Sequence, residues 1–404
     1  MIIHIDKGVA KGKIKAPPSK SMAHRLLICA ALADGTSRIK GISECEDVFA
    51  TLDCLSALGI SAEKDKNQVL VKGCSPASLS PSAPLSCRES GSTLRFFIPI
   101  ALLSGKNTIF YGAQSLMKRP MNVYKDLCEK EGLVYLDDGN SIAVRGPLKP
   151  GTFSVVGNIS SQFISGLLFA LPTLDGDSRI KITPPLESRS YIELTISALG
   201  FFGVEVIWED EYTLFIKGGQ KYTPCDIEVE GDYSGAAFTD ALNLFGGKVE
   251  IEGLNPKTLQ GDRAYKKFYE MLSVGVPTIH IGNCPDLGPV LFAVAAAKHG
   301  GVFTGTKRLK IKESDRASAM ADELKKFGVS VTVYEDKVVV YPALFHKPDS
   351  ILSGHNDHRI VMALSVLLSL TGGDIDGAEA VKKSYPEFFE DIKALGIGVT
   401  EYEA

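Results

Sequence analysis

Apolar and polar positions along the chain fall into one recurring unit: an amphipathic helical stretch, a glycine where it ends, a short apolar strand, a polar turn and often a second strand. Residues 51–60 lead through such a glycine to a closing strand at 68–73, residues 124–136 to one at 142–146, and residues 194–206 to one at 214–218. Further copies end at Gly275, at Gly328 and near Gly396, which makes six units. The glycines recur at roughly 50 to 75 residues, too long a period for a simple solenoid and suited to a module of alternating strands and helices. Residues 1–7 alternate like a strand, whereas residues 26–33 and 290–297 are continuously apolar, 360–370 are apolar but for two serines, and all three predict buried helices.

The polar residues gather where those apolar helices begin. Pro17-Pro18-Ser19-Lys20-Ser21-Met22-Ala23-His24-Arg25 disfavours helix through its prolines, then offers Ser19 as a cap. Lys20, Ser21 and Arg25 then fall in the first turns, where free N–H groups and the helix dipole favour an anion. The same pattern returns in Ser90-Gly91-Ser92-Thr93 ahead of an apolar run, in Ser160-Ser161-Gln162 and in Ser188-Arg189. Arg119 stands before Pro120, which biases it toward extended backbone. In the second half, Asp286 precedes an apolar helix and is either its cap or a carboxylate turned toward a cleft. Lys312-Glu313-Ser314-Asp315-Arg316 and His355-Asn356-Asp357-His358-Arg359 also lie ahead of helices, and Lys383 with Ser384-Tyr385-Pro386 predicts a proline-initiated one. Taken singly, each segment also fits an ordinary capped helix or a solvated charged turn.

Composition narrows the choice. With 404 residues, 45% of them hydrophobic and 23% charged, the chain can form two domains, each of three units. Crossings near Pro18 and Glu228 would give a discontinuous domain of residues 1–18 plus 229–404 and an inserted one of 19–228. A net charge of −4 without a block of like charges argues against a nucleic-acid surface, so any anion site is local. The eight cysteines show no CxxC pair or zinc-like spacing and read as reduced thiols of a cytoplasmic protein. No signal-peptide pattern and no membrane-length apolar run appears. Gly300 and Gly305 have the spacing of a phosphate-binding loop, but Thr306-Lys307 inverts its required order. His355 and His358 have no third ligand motif, so the sequence implies no metal.

Together, Ser19-Lys20-Ser21 with Arg25, Ser160-Ser161-Gln162, Lys312-Glu313-Ser314-Asp315-Arg316 and Asn356-Asp357-His358-Arg359 resemble, in order along nearly the whole chain, the 5-enolpyruvylshikimate-3-phosphate (EPSP) synthase family. The resemblance implies an α/β (α+β) enolpyruvyl transferase fold: two domains, each an inside-out α/β barrel of three pseudo-symmetric βαβαββ units, with the active site in the cleft between them. It implies transfer of the carboxyvinyl group of phosphoenolpyruvate to the 5-hydroxyl of shikimate 3-phosphate by a monomer without metal or organic cofactor. Shikimate 3-phosphate would then be held by Ser21, Arg25, Ser160, Ser161, Gln162, Ser188, Asp286 and Lys312, and phosphoenolpyruvate by Lys20, Gly91, Arg119, Gln162, Arg316, Arg359 and Lys383. Asp286 would take the hydroxyl proton, Glu313 would act as acid and base at the vinyl carbon, and Lys20 would be a further proton partner.

The charges suit those ligands. Eight motif bases, Arg95 among them, face two motif carboxylates, and the two substrates together bring about six negative charges. Such a site is neutral only when full, so closure should follow occupancy. The chain departs from many family members in reading Glu89-Ser90-Gly91-Ser92 where they read Asn-Ala-Gly-Thr, and in carrying Arg308 where they often place Asn. Gly91 retains the close backbone approach through which glyphosate inhibits the family, while Glu89 adds negative charge nearby. A UDP-N-acetylglucosamine enolpyruvyl transferase would share the architecture but use a loop cysteine, and residues 111–119 contain none. A non-catalytic anion-binding protein of this fold would have no use for Asp286 and Glu313. If Lys20 serves the reaction, Lys20→Gln abolishes most turnover and leaves the circular dichroism spectrum and melting temperature unchanged; near-normal activity in that variant would remove Lys20 from the chemistry.

Overall fold

The structure, a computed structural model, describes residues 1–402. The chain separates into two compact units, one of Met1–Ser19 with the chain from Gly231 onward, the other of Lys20–Glu230. No helix among the described residues is long and apolar enough to cross a membrane.

Among the described residues six separate open sheets form, and five of them have four strands in one order: a parallel pair, then two strands antiparallel in turn. In the Lys20–Glu230 unit, Thr152–Val156 runs parallel to Ser178–Thr183, which pairs antiparallel with Thr213–Ile216, which pairs antiparallel with Val206–Trp208. Leu85–Ser86, Thr108–Tyr111, Ser141–Arg145 and Val134–Asp137 repeat that order. The third sheet draws its parallel edge strand, Asp226–Glu228, from the far end of the unit, set beside Gly35–Lys40. Period-two patterning sets which face is inward. In Thr152–Val156, Phe153 and Val155 are buried while Thr152, Ser154 and Val156 face water.

The other unit repeats the order twice. One of its sheets joins Ile2–Ile5 to Gly373–Asp376 on one side and Val399–Tyr402 on the other. The sixth sheet departs from the expected repeat, because it contains only the parallel pair Lys11–Lys15 and Lys248–Glu252. The reason lies at the end of helix Tyr265–Val274. In four of the other copies Gly59, Gly132, Gly203 and Gly328 take positive φ values of 67 to 84° and turn the chain back into a hairpin, and in the fifth Gly396, φ 88°, turns it into Val399–Tyr402, which pairs with Ile2–Ile5. Gly275 instead has an extended φ of 175°, and the chain runs on into Thr278–His280, which joins the next sheet beside Gly301–Thr304.

Each unit is built on three helices buried on nearly every side. Lys20–Leu32, Gly91–Ala101 and Ser161–Ala170 fill the first; Tyr233–Leu244, Gly288–Ala297 and His358–Thr371 fill the second. The remaining long helices, such as Asn122–Glu131 and Arg316–Lys325, bury one face only. Two boundaries differ from the sequence reading. Helix Arg189–Phe201 passes straight through Gly200, and the helix expected to begin at Pro386 begins at Phe388, because Pro386 lies in the turn that seats Tyr385 against Phe388.

The closing strands press on the ends of the buried helices. A Cβ on Gly73 would collide with the carbonyl oxygens of Ala30 and Ala33, and one on Gly146 with those of Leu102 and Ser104. Backbone cannot retreat as a flexible side chain can. Gly73→Ala therefore lowers the unfolding free energy by about 1–3 kcal/mol in chemical denaturation, whereas Gly105→Ala, whose Cβ meets nothing within 4 Å, changes it by less than about 0.5 kcal/mol.

Candidate active site

In the Lys20–Glu230 unit the sequence-predicted residues sit at the starts of adjoining helices. Lys20, the first residue of Lys20–Leu32, donates from Nζ to Asp47 Oδ2 at 2.7 Å. Arg25 is buried one turn later and is fully tied: Nε donates to Thr195 Oγ1 at 2.8 Å, Nη1 to the carbonyl of Ser21 at 2.6 Å and Nη2 to that of Tyr191 at 3.0 Å. Burial pushes its pKa down to about 10, so the guanidinium stays cationic at neutral pH. Ser188 caps the helix Arg189–Phe201 in the left-handed conformation, φ 56°, which is uncommon for serine and brings its buried side chain to the helix start. Ser160 caps Ser161–Ala170 by accepting from the Gln162 N–H at 3.3 Å.

A second cluster forms around Gly91. Arg95 Nη1 donates to Gln162 Oε1 at 2.7 Å, and Gln162 Nε2 donates to Ser92 Oγ at 2.8 Å. A Cβ on Gly91 would stand 2.8 Å from Arg119 Nη1 and 3.1 Å from Arg95 Nη1, so two guanidinium groups close over this bare backbone. Arg119 follows a single helical turn, Gln114–Met117, and its N–H donates to the Leu116 carbonyl at 3.0 Å. A buried relay ties the cluster to the first helix: His24 Nδ1 lies 2.7 Å from Thr51 Oγ1, which lies 2.9 Å from Thr93 Oγ1, which donates to Ser90 Oγ at 2.9 Å. Burial, reinforced by Lys20 and Arg25, holds the His24 pKa well below its ordinary value and keeps the ring neutral.

In the other unit, Arg316 organises the charges. It is the first residue of Arg316–Lys325 and is 1% exposed. Its Nη1 donates to Asp286 Oδ1 at 2.8 Å, Nη2 to Glu313 Oε2 at 2.7 Å and Nε to Asp357 Oδ2 at 2.8 Å. Lys312 Nζ reaches the same Asp286 oxygen at 3.1 Å, and Arg359 Nη2 approaches Asp286 Oδ2 at 3.6 Å. Burial alone would raise the Asp286 pKa, but Lys312, Arg316 and Arg359 outweigh it and hold the carboxyl well below its usual range. Burial also depresses Lys312, only partly offset by Asp286. Asp286 is not the cap of Gly288–Ala297; Leu287 occupies that position, which leaves the carboxylate to the cations.

Arg359 differs from Arg316. Its Nε and Nη1 are buried with no hydrogen-bond partner among the described residues, so two donors of a buried guanidinium lack an acceptor of the kind an anion supplies. The neighbouring Asp357 caps His358–Thr371 by accepting from the Arg359 N–H at 2.9 Å. Lys383 Nζ donates to the Asn356 carbonyl at 2.6 Å and to its Oδ1 at 2.8 Å.

Comparison with known proteins places the chain in a family. Residues 6–392 match the family described as EPSP synthase (3-phosphoshikimate 1-carboxyvinyltransferase). The chain belongs to the EPSP synthase family. The 3-phosphoshikimate 1-carboxyvinyltransferase of Clostridium kluyveri is 40% identical over 99% of this chain and 98% of its own length, and that of Clostridium botulinum strain Alaska E43 is 39% identical over 96% of both. Among solved structures, an EPSP synthase from Acinetobacter baumannii superposes with a TM-score of 0.80 at 26% identity, covering 99% of this chain and 100% of that one. The enolpyruvyl transferase NikO of Streptomyces tendae reaches the same TM-score at 15% identity and shares the fold.

Within this family frame the sequence reading overlooked two carboxylates. Asp47 neutralises Lys20 and Asp357 neutralises Arg316, so the arrays carry less uncompensated charge than the motif count implies. Asp47 has no signal beyond its place in the first turn of Glu46–Ala57, whereas Asp357 lies inside a recognised motif. Asp357→Ala leaves Arg316 buried with a counter-charge missing and removes a helix cap. It should lower the unfolding free energy by about 3–5 kcal/mol, read by urea denaturation, and a loss below about 1 kcal/mol would mean that Asp286 and Glu313 suffice for Arg316.

Proposed function

We propose that the chain transfers the carboxyvinyl group of phosphoenolpyruvate to the 5-hydroxyl of shikimate 3-phosphate and releases phosphate, and that the residues of both arrays serve that reaction. The observation that carries this reading is Arg316 gripping both Asp286 and Glu313 while two donors of neighbouring Arg359 stay unpartnered. An arginine waiting for an anion beside two carboxylates suits a reaction of anionic substrates that moves protons twice.

In this reading Ser160, Ser161 and Ser188 take the ring phosphate at helix starts, where N–H groups and the dipole add to their hydroxyls. Gly91, Arg119, Arg359 and Lys383 take phosphoenolpyruvate. Every donor nitrogen of Arg316 already meets a carboxylate, so a ligand anion shares this guanidinium with them. Once Arg359 and Lys312 turn to ligand, the charges that depress Asp286 are shared and its basicity rises. The 5-hydroxyl oxygen then bonds to C2 of phosphoenolpyruvate as its proton passes to Asp286, and Glu313 protonates C3. In the second half, Glu313 recovers a C3 proton as the bond from C2 to the phosphate oxygen breaks, and phosphate leaves with the proton that Asp286 held. The reading carries with it a monomeric, cytoplasmic enzyme.

Phosphate release tests it. Phosphoenolpyruvate with shikimate 3-phosphate should yield phosphate, and replacing the second substrate by UDP-N-acetylglucosamine should yield none; the reverse outcome would make the chain a nucleotide-sugar enzyme. Glyphosate should inhibit competitively with phosphoenolpyruvate, and unchanged activity at millimolar glyphosate would count against the Gly91 subsite.

A further inference from the structure

Glu323 belongs to none of the motifs, yet it is a buried carboxylate, 2% exposed, that ties the motif-bearing elements together. It lies two turns beyond Arg316 on the same helix and on the same face. Its Oε2 accepts from Lys326 Nζ at 2.9 Å and from the Ser353 N–H at 2.9 Å, and its Oε1 lies 3.0 Å from His355 Nε2. Burial would raise its pKa, but the bonds from His355, Lys326 and Ser353 outweigh this and keep it below the ordinary value. A buried carboxylate with this many donors is costly to disturb, so it holds its neighbours in place.

What it holds is the bend that precedes Asp357. His355 and Asn356 both adopt left-handed backbone, φ 49° and 52°, a conformation that costs free energy in non-glycine residues and persists only where the surroundings impose it. On one side of the bend Asn356 receives both bonds from Lys383. On the other, Asp357 takes Arg316 and caps the helix that starts His358-Arg359. Gly354 cannot yield, since even a Cβ there would meet Val361 Cγ2 at 2.6 Å and the Asp376 carbonyl at 2.9 Å. The helix bearing Arg316 and the bend serving Lys383 and Arg359 are therefore joined through one carboxylate.

We propose that Glu323 is a positioning residue: by holding His355 and the Ser353 N–H it fixes the left-handed bend, and so sets Lys383 and Arg359 where the anionic substrate phosphoenolpyruvate needs them. This rests on the carboxyvinyl-transfer reading. Glu323 itself touches no reacting atom. Its removal should therefore appear as weakened binding of one substrate rather than as failed chemistry.

Steady-state kinetics of Glu323→Ala, Glu323→Gln and His355→Asn test the assignment. Asparagine tolerates the left-handed backbone but is too short to reach Glu323, so it removes the contact without adding strain. Glu323→Ala should raise KM for phosphoenolpyruvate about tenfold, with kcat reduced less than about threefold and KM for shikimate 3-phosphate within about twofold. Glu323→Gln, which keeps an acceptor oxygen, should recover most of that loss, and His355→Asn should resemble Glu323→Ala. The rise in melting temperature on adding phosphoenolpyruvate, measured on the same proteins, should shrink in the same order and needs no turnover. An unmoved KM for phosphoenolpyruvate and an unmoved ligand-induced melting shift in folded His355→Asn overturn the proposal, as does an equal rise of both KM values. Absence of phosphate release from the unsubstituted protein, with the melting shift intact, overturns the reaction while leaving the positioning role standing.

Discussion

The constraint on which this structure depends is that its central helices have no polar face. Gly288–Ala297 reads GPVLFAVAAA without one hydrogen-bonding side chain, and Ser161–Ala170 is buried from Ser161 to Ala170 except at Gln162. A helix of this kind is stable only when surrounded, and at about 25 cal/mol per Å² of apolar surface its burial is a large favourable contribution. Sheets and half-buried helices supply the surround. Water can then reach such a helix only at its ends, and there the unpaired N–H groups of the first turn call for polar company. The polar motifs stand at those N-termini for this reason, and a site for anions follows from how the core is enclosed.

The two arrays solve the problem of storing cations differently. In the Lys20–Glu230 unit Lys20 is held by Asp47, but the array's arginines Arg25 and Arg95 rest on backbone carbonyls, an amide and a hydroxyl. In the other unit they are stored against carboxylates, with Arg316 touching Asp286, Glu313 and Asp357. Neutral partners keep a cation available at little cost, whereas carboxylates bind it firmly and must be displaced or remain as part of the chemistry. Two of the three on Arg316, Asp286 and Glu313, are the groups to which the proposed reaction gives the proton transfers.

Much of this was legible in the sequence because the carriers of chemistry lie in short contiguous motifs at helix starts. Lys20 could be placed on a first turn, Ser160 at a helix start and Arg316 just ahead of one from capping residues and apolar runs alone. The partners of those residues could not. Asp47 meets Lys20 across 27 positions and Glu323 meets His355 across 32, and nothing local marks either carboxylate as buried. The repeat was legible through its glycines, but Gly275 looks like its counterparts until its extended backbone is seen. The left-handed Ser188 was equally hidden, because tertiary packing and not residue type imposes that conformation.

The permuted sheets bear on how the chain acquires its structure during synthesis. Every strand of the Lys20–Glu230 unit pairs within that span, so the unit has all its partners once residue 230 has left the ribosome. Ile2–Ile5, made first, pairs with Gly373–Asp376 and Val399–Tyr402, which are made last. Its edges stay open until those distant strands follow, and contacts of such sequence separation form slowly. The inserted unit is thus free to fold early as a continuous segment, while the unit that encloses Arg316 waits for the final strand.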